Sequence, residues 1–145
     1  MSEILKELND MPMDVRPNLF IPGFPKCGTS ALCNYLSQHN DIYVIDIKEP
    51  HTLTANLPPS KFEQAHHKWR NISWIPLPYE DYKSIYTKYA HKKYRVDASQ
   101  SFSGIDKSVD IPLYIKKISP KAKIILMIRE QNKRLVSFYL YGKSI

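Results

Sequence analysis

The chain has 145 residues, 43% of them hydrophobic, and a formal net charge of +7. That is enough apolar material for one modest domain with a real core, which excludes a disordered chain, and the positive excess favours an anionic partner. Its 2 cysteines, Cys27 and Cys33, are too few for a disulfide framework or a metal-ligand array, and no run is long enough to span a membrane.

Residues 1–17 read as a short polar helix and a linker marked by Pro12 and Pro17. The apolar run Leu19–Ile21 reads as a first strand, and Ala31, Leu32, Tyr35 and Leu36 then share one face of a helix. Ile42–Ile45 is a second short strand. Residues 49–78 are rich in Pro, His and Trp, with one helix expected over Ser60–Trp69. Tyr82, Ile85, Tyr86 and Tyr89 recur at helical spacing, which suits core packing better than a stacking site for a ligand. Trp69 and Trp74 lie in the irregular stretch and are candidates for lining a cleft. Tyr94–Ser99 reads as a third strand and Val109–Ile118 as a helix. Lys123–Ile128 is the clearest strand, continuously apolar as a strand buried on both faces should be. A last helix covers about Gln131–Tyr141. Strands alternating with helices predict a parallel α/β sheet flanked by helices, a three-layer sandwich that binds ligands at the carboxyl ends of its strands.

The segment between the first strand and its helix reads "GFPKCGTSAL", Gly23 to Leu32. Gly23, Gly28 and Ser30 fit the spacing of the ATP- and GTP-binding loop, but Thr29 stands where its lysine belongs and a lysine comes earlier, as Lys26. A glycine-bearing turn before a helix exposes N–H groups that converge on one spot, and the helix dipole adds partial positive charge there. Phosphate is the natural guest. An ordinary capped turn is the plainer alternative.

The full wording resembles the 5′-phosphosulfate loop of sulfotransferases, P-K-[ST]-G-T-[ST]-x-L, whose sulfuryl donor is 3′-phosphoadenosine-5′-phosphosulfate (PAPS). The resemblance implies a P-loop-like fold in which Lys26, Cys27, Gly28, Thr29 and Ser30 hold the 5′-phosphosulfate and Lys26 assists the leaving phosphate. Cys27 stands where the family often has Ser or Thr, so its backbone is the part that matters. Farther on, Arg129 ends the apolar strand and Ser137 follows on the next helix. The family's 3′-phosphate motif has this layout, and Arg presents a planar, permanently charged fork to such an anion. Here Arg129 is followed by Glu130 and Gln131, where the family commonly has R-[ND]-P.

Sulfuryl transfer requires a base that takes a proton from the acceptor. "KEPH", Lys48 to His51, resembles the K-E-x-H element of heparan-type and related carbohydrate sulfotransferases. It implies Glu49 as base, Lys48 supporting the sulfuryl group and His51 in the acceptor site. A charged surface loop is the alternative for the same residues. "VDASQSF", Val96 to Phe102, resembles a further family segment, with Asp97 in its acidic position. That carboxylate orients a lysine or an acceptor hydroxyl, or else makes a buried structural hydrogen bond.

The resemblance runs from about Asn18 to Gly142. It divides the chain into an N-terminal piece, 1–17, and a sulfotransferase-like domain, 18–145. Family domains continue past the Arg–Ser helix, so the domain is expected to be incomplete at its C-terminus. The expected function is transfer of a sulfuryl group from PAPS to a hydroxyl or amine of a carbohydrate or other anionic glycan, without a metal. The partners implied are PAPS, the desulfated nucleotide and that acceptor. Nucleic acid is not among them, because the Lys and Arg residues are spread along the chain. Two other readings stay open: a non-catalytic module that binds nucleotide or glycan, and a P-loop kinase, against which Thr29 counts. With neither signal peptide nor span in the sequence, the chain reads as soluble. It is expected in the cytoplasm, or in the Golgi lumen if cut from a larger protein.

Overall fold

A computed structural model describes residues 8–47, 49–59, 64 and 75–143. The helix expected over Ser60–Trp69 falls, save for Gln64, outside the described residues, as do Lys48, Trp69 and Trp74. Four parallel strands form one sheet in the order β2-β3-β1-β4. They are β1 (Leu19–Phe20), β2 (Ile42–Val44), β3 (Tyr94–Asp97) and β4 (Lys123–Ile124). The helices are α1 (Thr29–Leu36), α2 (Tyr79–Lys88), α3 (Ser101–Gly104), α4 (Ile111–Ile118) and α5 (Gln131–Lys143), with 3-10 turns at Leu8–Asp10 and Thr52–Thr54. This is the α/β three-layer arrangement that the alternating pattern predicts.

The layers follow from the two-residue period of a strand. Leu19, Ile21 and Val96 point to one face, where Leu32, Cys33 and Leu36 of α1 cover them. Phe20, Tyr43 and Ile45 point to the other, against Tyr82 and Tyr86 of α2, Phe102 of α3, and Tyr114, Ile115 and Ile118 of α4. Phe20 and Phe102 meet edge to face at 5.3 Å, and Tyr43 stacks on Tyr89 at 3.6 Å. The tyrosines in phase on α2 are therefore core, as their spacing suggested. The helix ends obey local chemistry. The Asp110 carboxylate accepts the Leu113 N–H at 2.9 Å, with Pro112 in the first turn of α4.

Residues 8–16, read from the sequence as the end of a helix and a linker, contribute Leu8, Met11 and Val15 to the larger core. Two buried arginines tie this segment down. Arg16 donates to the carbonyls of Leu8, Met11 and Ile118, and Arg95 to those of Val15, Arg16, Ala90 and Lys92. Burial lowers both pKa values from the usual arginine range.

Two expectations are corrected. The face that α1 turns to the sheet is Leu32, Cys33 and Leu36, while Tyr35 is 73% exposed and Ala31 also faces outward. And the run 123–128 is not buried on both faces. β4 is an edge strand whose neighbour is β1, and Leu126 and Ile128 are 58% and 80% exposed. No residue of α5 is buried either. An apolar run reports its preference for burial but not its place in the strand order.

Burial, then the nearby Asp46, pushes the Tyr43 phenol up to about 12. Burial, then Asp97, raises Tyr82 and Tyr86 as well. Above the unfolded value of about 10, the unfolded chain releases protons that the folded chain keeps. Stability present below that pH is therefore lost as pH rises. Urea midpoints should be level to about pH 9 and fall by pH 11.5; a level midpoint across this interval would contradict the assignment.

Candidate active site

The loop after β1 is shaped by three local constraints. Gly28 caps α1 with φ +95°, a left-handed conformation that strains any residue with a Cβ. A Cβ on buried Gly23 would collide with Thr29 Cγ2, so the chain folds back on itself here. Lys26 also has positive φ, 67°. The Cys27 N–H closes the turn on Phe24 O at 3.2 Å, and the helical ladder begins with Leu32 N–H to Gly28 O. The N–H groups of Gly28, Thr29, Ser30 and Ala31 therefore precede that ladder, at the positive end of the helix dipole. Cys27 is buried, and its N–H serves the turn rather than the mouth of the loop.

Beyond their shared strands, β1 and β4 stay in register through a bridge between Gly23 and Met127. This carries Arg129 to the loop, where its Nη1 donates to Lys26 O at 3.1 Å. Lys26, Arg129 and Ser137 line one open concavity of about 670 Å³ with Asn132, Lys133 and Tyr141. The Lys26 ammonium lies 4.1 Å from the centre of the Tyr141 ring, a cation–π contact. Tyr141 sits one helical turn after Ser137, so helical spacing alone could have found it. Glu130 takes the N-cap role at α5: its carboxylate accepts the N–H groups of Asn132 and Lys133, both at 2.8 Å. The Lys133 bond and then the Asn132 bond hold its pKa below the usual carboxylate range. The start of α5 thus has its own anion, and Arg129 and Ser137 are left to face the concavity.

On the other side of the loop, Thr29 and Ser30 line a cleft of about 260 Å³ with Asn34, Ser37, Asp46 and Glu49. Glu49 is half-buried and His51 buried; their side chains approach to 3.6 Å, Nε2 to Oε2. That is longer than a hydrogen bond and within ion-pair reach of a protonated ring. The His51 ring is buried with Nδ1 2.9 Å from Ser101 Oγ, and Glu49, not His51, lines the cleft. Lys48 lies outside the described residues. Asp97, at the end of β3, is 0% exposed and accepts from Tyr82 OH at 2.7 Å and Ser99 Oγ at 2.6 Å. Of the two roles its position suggested, these bonds fill the structural one.

Residues 16–145 match the model of the sulfotransferase domain family. The chain belongs to that family. It is 28% identical over 160 residues to carbohydrate sulfotransferase 15 of Mus musculus, and 27% identical to that of Homo sapiens. Both alignments cover 88% of this chain and 28% of the relative, so the chain spans just over a quarter of their length. A sulfotransferase from Alicyclobacillus acidocaldarius has the same fold, with a TM-score of 0.63 at 27% identity over 87% of this chain and 49% of that one. Among the described residues of this sulfotransferase domain, no helix is long and apolar enough to cross a membrane.

The residues present fit a PAPS-type nucleotide. The loop N–H groups and Lys26 offer donors to one phosphate, and Arg129 and Ser137 share a concavity where a second anion can sit. Gly28→Ala places a Cβ at φ +95° and should destabilise the domain by roughly 1–3 kcal/mol. Urea unfolding would show this as a lowered midpoint with unchanged slope.

Proposed function

We propose that this domain transfers a sulfuryl group from PAPS to a hydroxyl or amine of a carbohydrate. The observation that carries the reading is that residues of the loop 26–30 line two concavities. One is lined by Lys26, Arg129 and Ser137, the other by Thr29, Ser30 and Glu49. A donor held across the loop would present its transferable group to the cleft that holds the carboxylate. When bound, PAPS supplies the sulfuryl group and leaves as adenosine 3′,5′-bisphosphate. Arg129 and Ser137 would hold the 3′-phosphate. The N–H groups after Lys26, with the Thr29 and Ser30 hydroxyls, would hold the 5′ end. Lys26 would balance charge developing on the leaving phosphate. Glu49 would take the proton of the acceptor as its oxygen or nitrogen attacks sulfur. Lys48, next to Glu49 in sequence, is proposed to support the sulfuryl group. The Asn34 amide and the Ser37 hydroxyl suit a sugar, whose recognition is by hydrogen bonds. The names of the relatives point to the same acceptor class.

A kinase reading is weaker. Thr29 stands in the lysine position, and Asp97, a strand-end carboxylate of the kind that would bind a nucleotide's magnesium, is already bonded to Tyr82 and Ser99.

Titration calorimetry with adenosine 3′,5′-bisphosphate, without magnesium, tests the donor site. Lys26→Ala and Arg129→Ala should each weaken binding by roughly tenfold or more, since a hydrogen bond to a charged group is worth about 1.5–3 kcal/mol. Tight binding unaffected by both changes would sink the assignment. Glu49→Gln should leave that affinity unchanged and lower the turnover number by about 10²–10⁴, measured with PAPS and a chondroitin or heparosan acceptor.

A further inference from the structure

The segment that carries Glu49 is strained. Glu49 and His51 both have left-handed backbone, φ 57° and 55°, on either side of Pro50. Non-glycine residues hold such conformations only where their surroundings determine them several times over. Two separate sets of bonds do so here, and both converge on His51. The first holds its backbone. The His51 N–H donates to Ser99 Oγ at 3.0 Å, and Ser99 gives both its hydroxyl and its N–H to Asp97 Oδ1, at 2.6 and 2.9 Å. The other Asp97 oxygen receives Tyr82 OH at 2.7 Å. The second set holds the ring. Nδ1 lies 2.9 Å from Ser101 Oγ, which lies 2.5 Å from Thr54 Oγ1, while Nε2 faces Glu49.

Hydrogen-bond direction in the second set follows from its carboxylate end. A neutral imidazole has one N–H and one lone pair, and a carboxylate only accepts. The lone pair of Nε2 turned on Glu49 would be repulsive, so the proton belongs on Nε2 and the lone pair on Nδ1. Ser101 then donates to Nδ1, and Thr54 donates to Ser101. Each hydroxyl has one proton; Thr54 Oγ1 also lies 3.2 Å from His51 O, and its proton favours the closer Ser101 Oγ at 2.5 Å. We propose that Thr54, Ser101 and His51 are positioning residues, a one-way chain of donors whose last proton, on His51 Nε2, faces the Glu49 carboxylate at 3.6 Å and by this charge–dipole contact aims it into the cleft lined by Thr29 and Ser30. The inference rests on the reading of Glu49 as base. His51 acts from behind the carboxylate instead of touching the acceptor. Ser101 and Thr54, 0% and 4% exposed, act at one remove. Buried chains of this kind polarise along their length, so a change at the far end reaches the near one.

The test is NMR of the His51 ring nitrogens and the Glu49 side-chain carboxyl carbon in the whole chain, with turnover measured in parallel. At pH 8.5 the wild type should show a protonated Nε2 and an unprotonated, hydrogen-bonded Nδ1. Ser101→Ala and Thr54→Val, on different elements, should each move the Glu49 carboxyl signal, although neither residue touches Glu49. Each should lower the turnover number roughly tenfold, an intermediate loss for a misaimed base. Affinity for adenosine 3′,5′-bisphosphate should stay within about twofold, which reports an intact fold. A wild-type ring protonated on Nδ1, or a Glu49 signal unmoved by both variants, overturns the proposal even if Glu49→Gln abolishes turnover. Full turnover by Glu49→Gln instead overturns the reading of Glu49 as base, and the positioning role falls with it.

Discussion

The structure depends on β1, a strand of two residues paired on both sides. Leu19 and Phe20 lie in register with Val96 and Asp97 of β3 and with Lys123 and Ile124 of β4. Parallel pairing brings the carboxyl ends of all three strands to one edge of the sheet. The loop after β1, the Asp97–Ser99 segment after β3 and Arg129 after β4 are therefore neighbours, although they span over 100 positions of sequence. A slip of one residue would turn Phe20 out of the aromatic core and Leu19 into it. The same slip would break the Gly23–Met127 bridge that sets Arg129 against Lys26 O. Site and core share this one register.

Around that frame, buried polar groups do what a short sheet cannot. Arg16 and Arg95 collect main-chain carbonyls from the N-terminal segment, from α4 and from the turn after α2. Asp97 joins α2 to β3 and fixes Ser99, which in turn fixes the backbone of His51. These groups have little access to water, and each satisfied bond avoids a desolvation penalty. The left-handed residues Glu49 and His51 can persist because the rigid side of the domain holds them. On the opposite edge, the segment after β4 and then α5 carry Leu126, Ile128, Val136 and Leu140 largely in the open. An uncovered strand edge with apolar faces is the least protected part of the described fold.

Much of this was legible in the residues. Alternating apolar strands and helical repeats predict the parallel α/β sheet, and all four strands lie within the segments expected of them. "GFPKCGTSAL" marks the turn, and its glycines sit where a Cβ would strain or collide. That Arg129 and Ser137 would line one concavity was expected from the resemblance of this strand end and helix to a family motif. Other parts were not. Leu8, Met11 and Val15 have the i, i+3, i+7 spacing of one helix face, but Pro12 and Pro17 make the stretch read as a linker. The run 123–128 looks buried because composition encodes affinity for an apolar environment and is blind to strand order. Ser101 and Thr54 are ordinary hydroxyls in the sequence, and only the fold sets them behind His51.

The sequence alone thus determined which segments become strands, where the chain must turn tightly, and which residue types can meet an anion. These are local properties, set by side-chain period, by backbone freedom at glycine and by formal charge. Only the tertiary structure decided the strand order, the two concavities that the loop 26–30 helps to line, and the approach of His51 to Glu49. Those depend on contacts between residues far apart in the chain, and a distance of 2.9 Å between His51 and Ser101 has no counterpart in the spacing of letters.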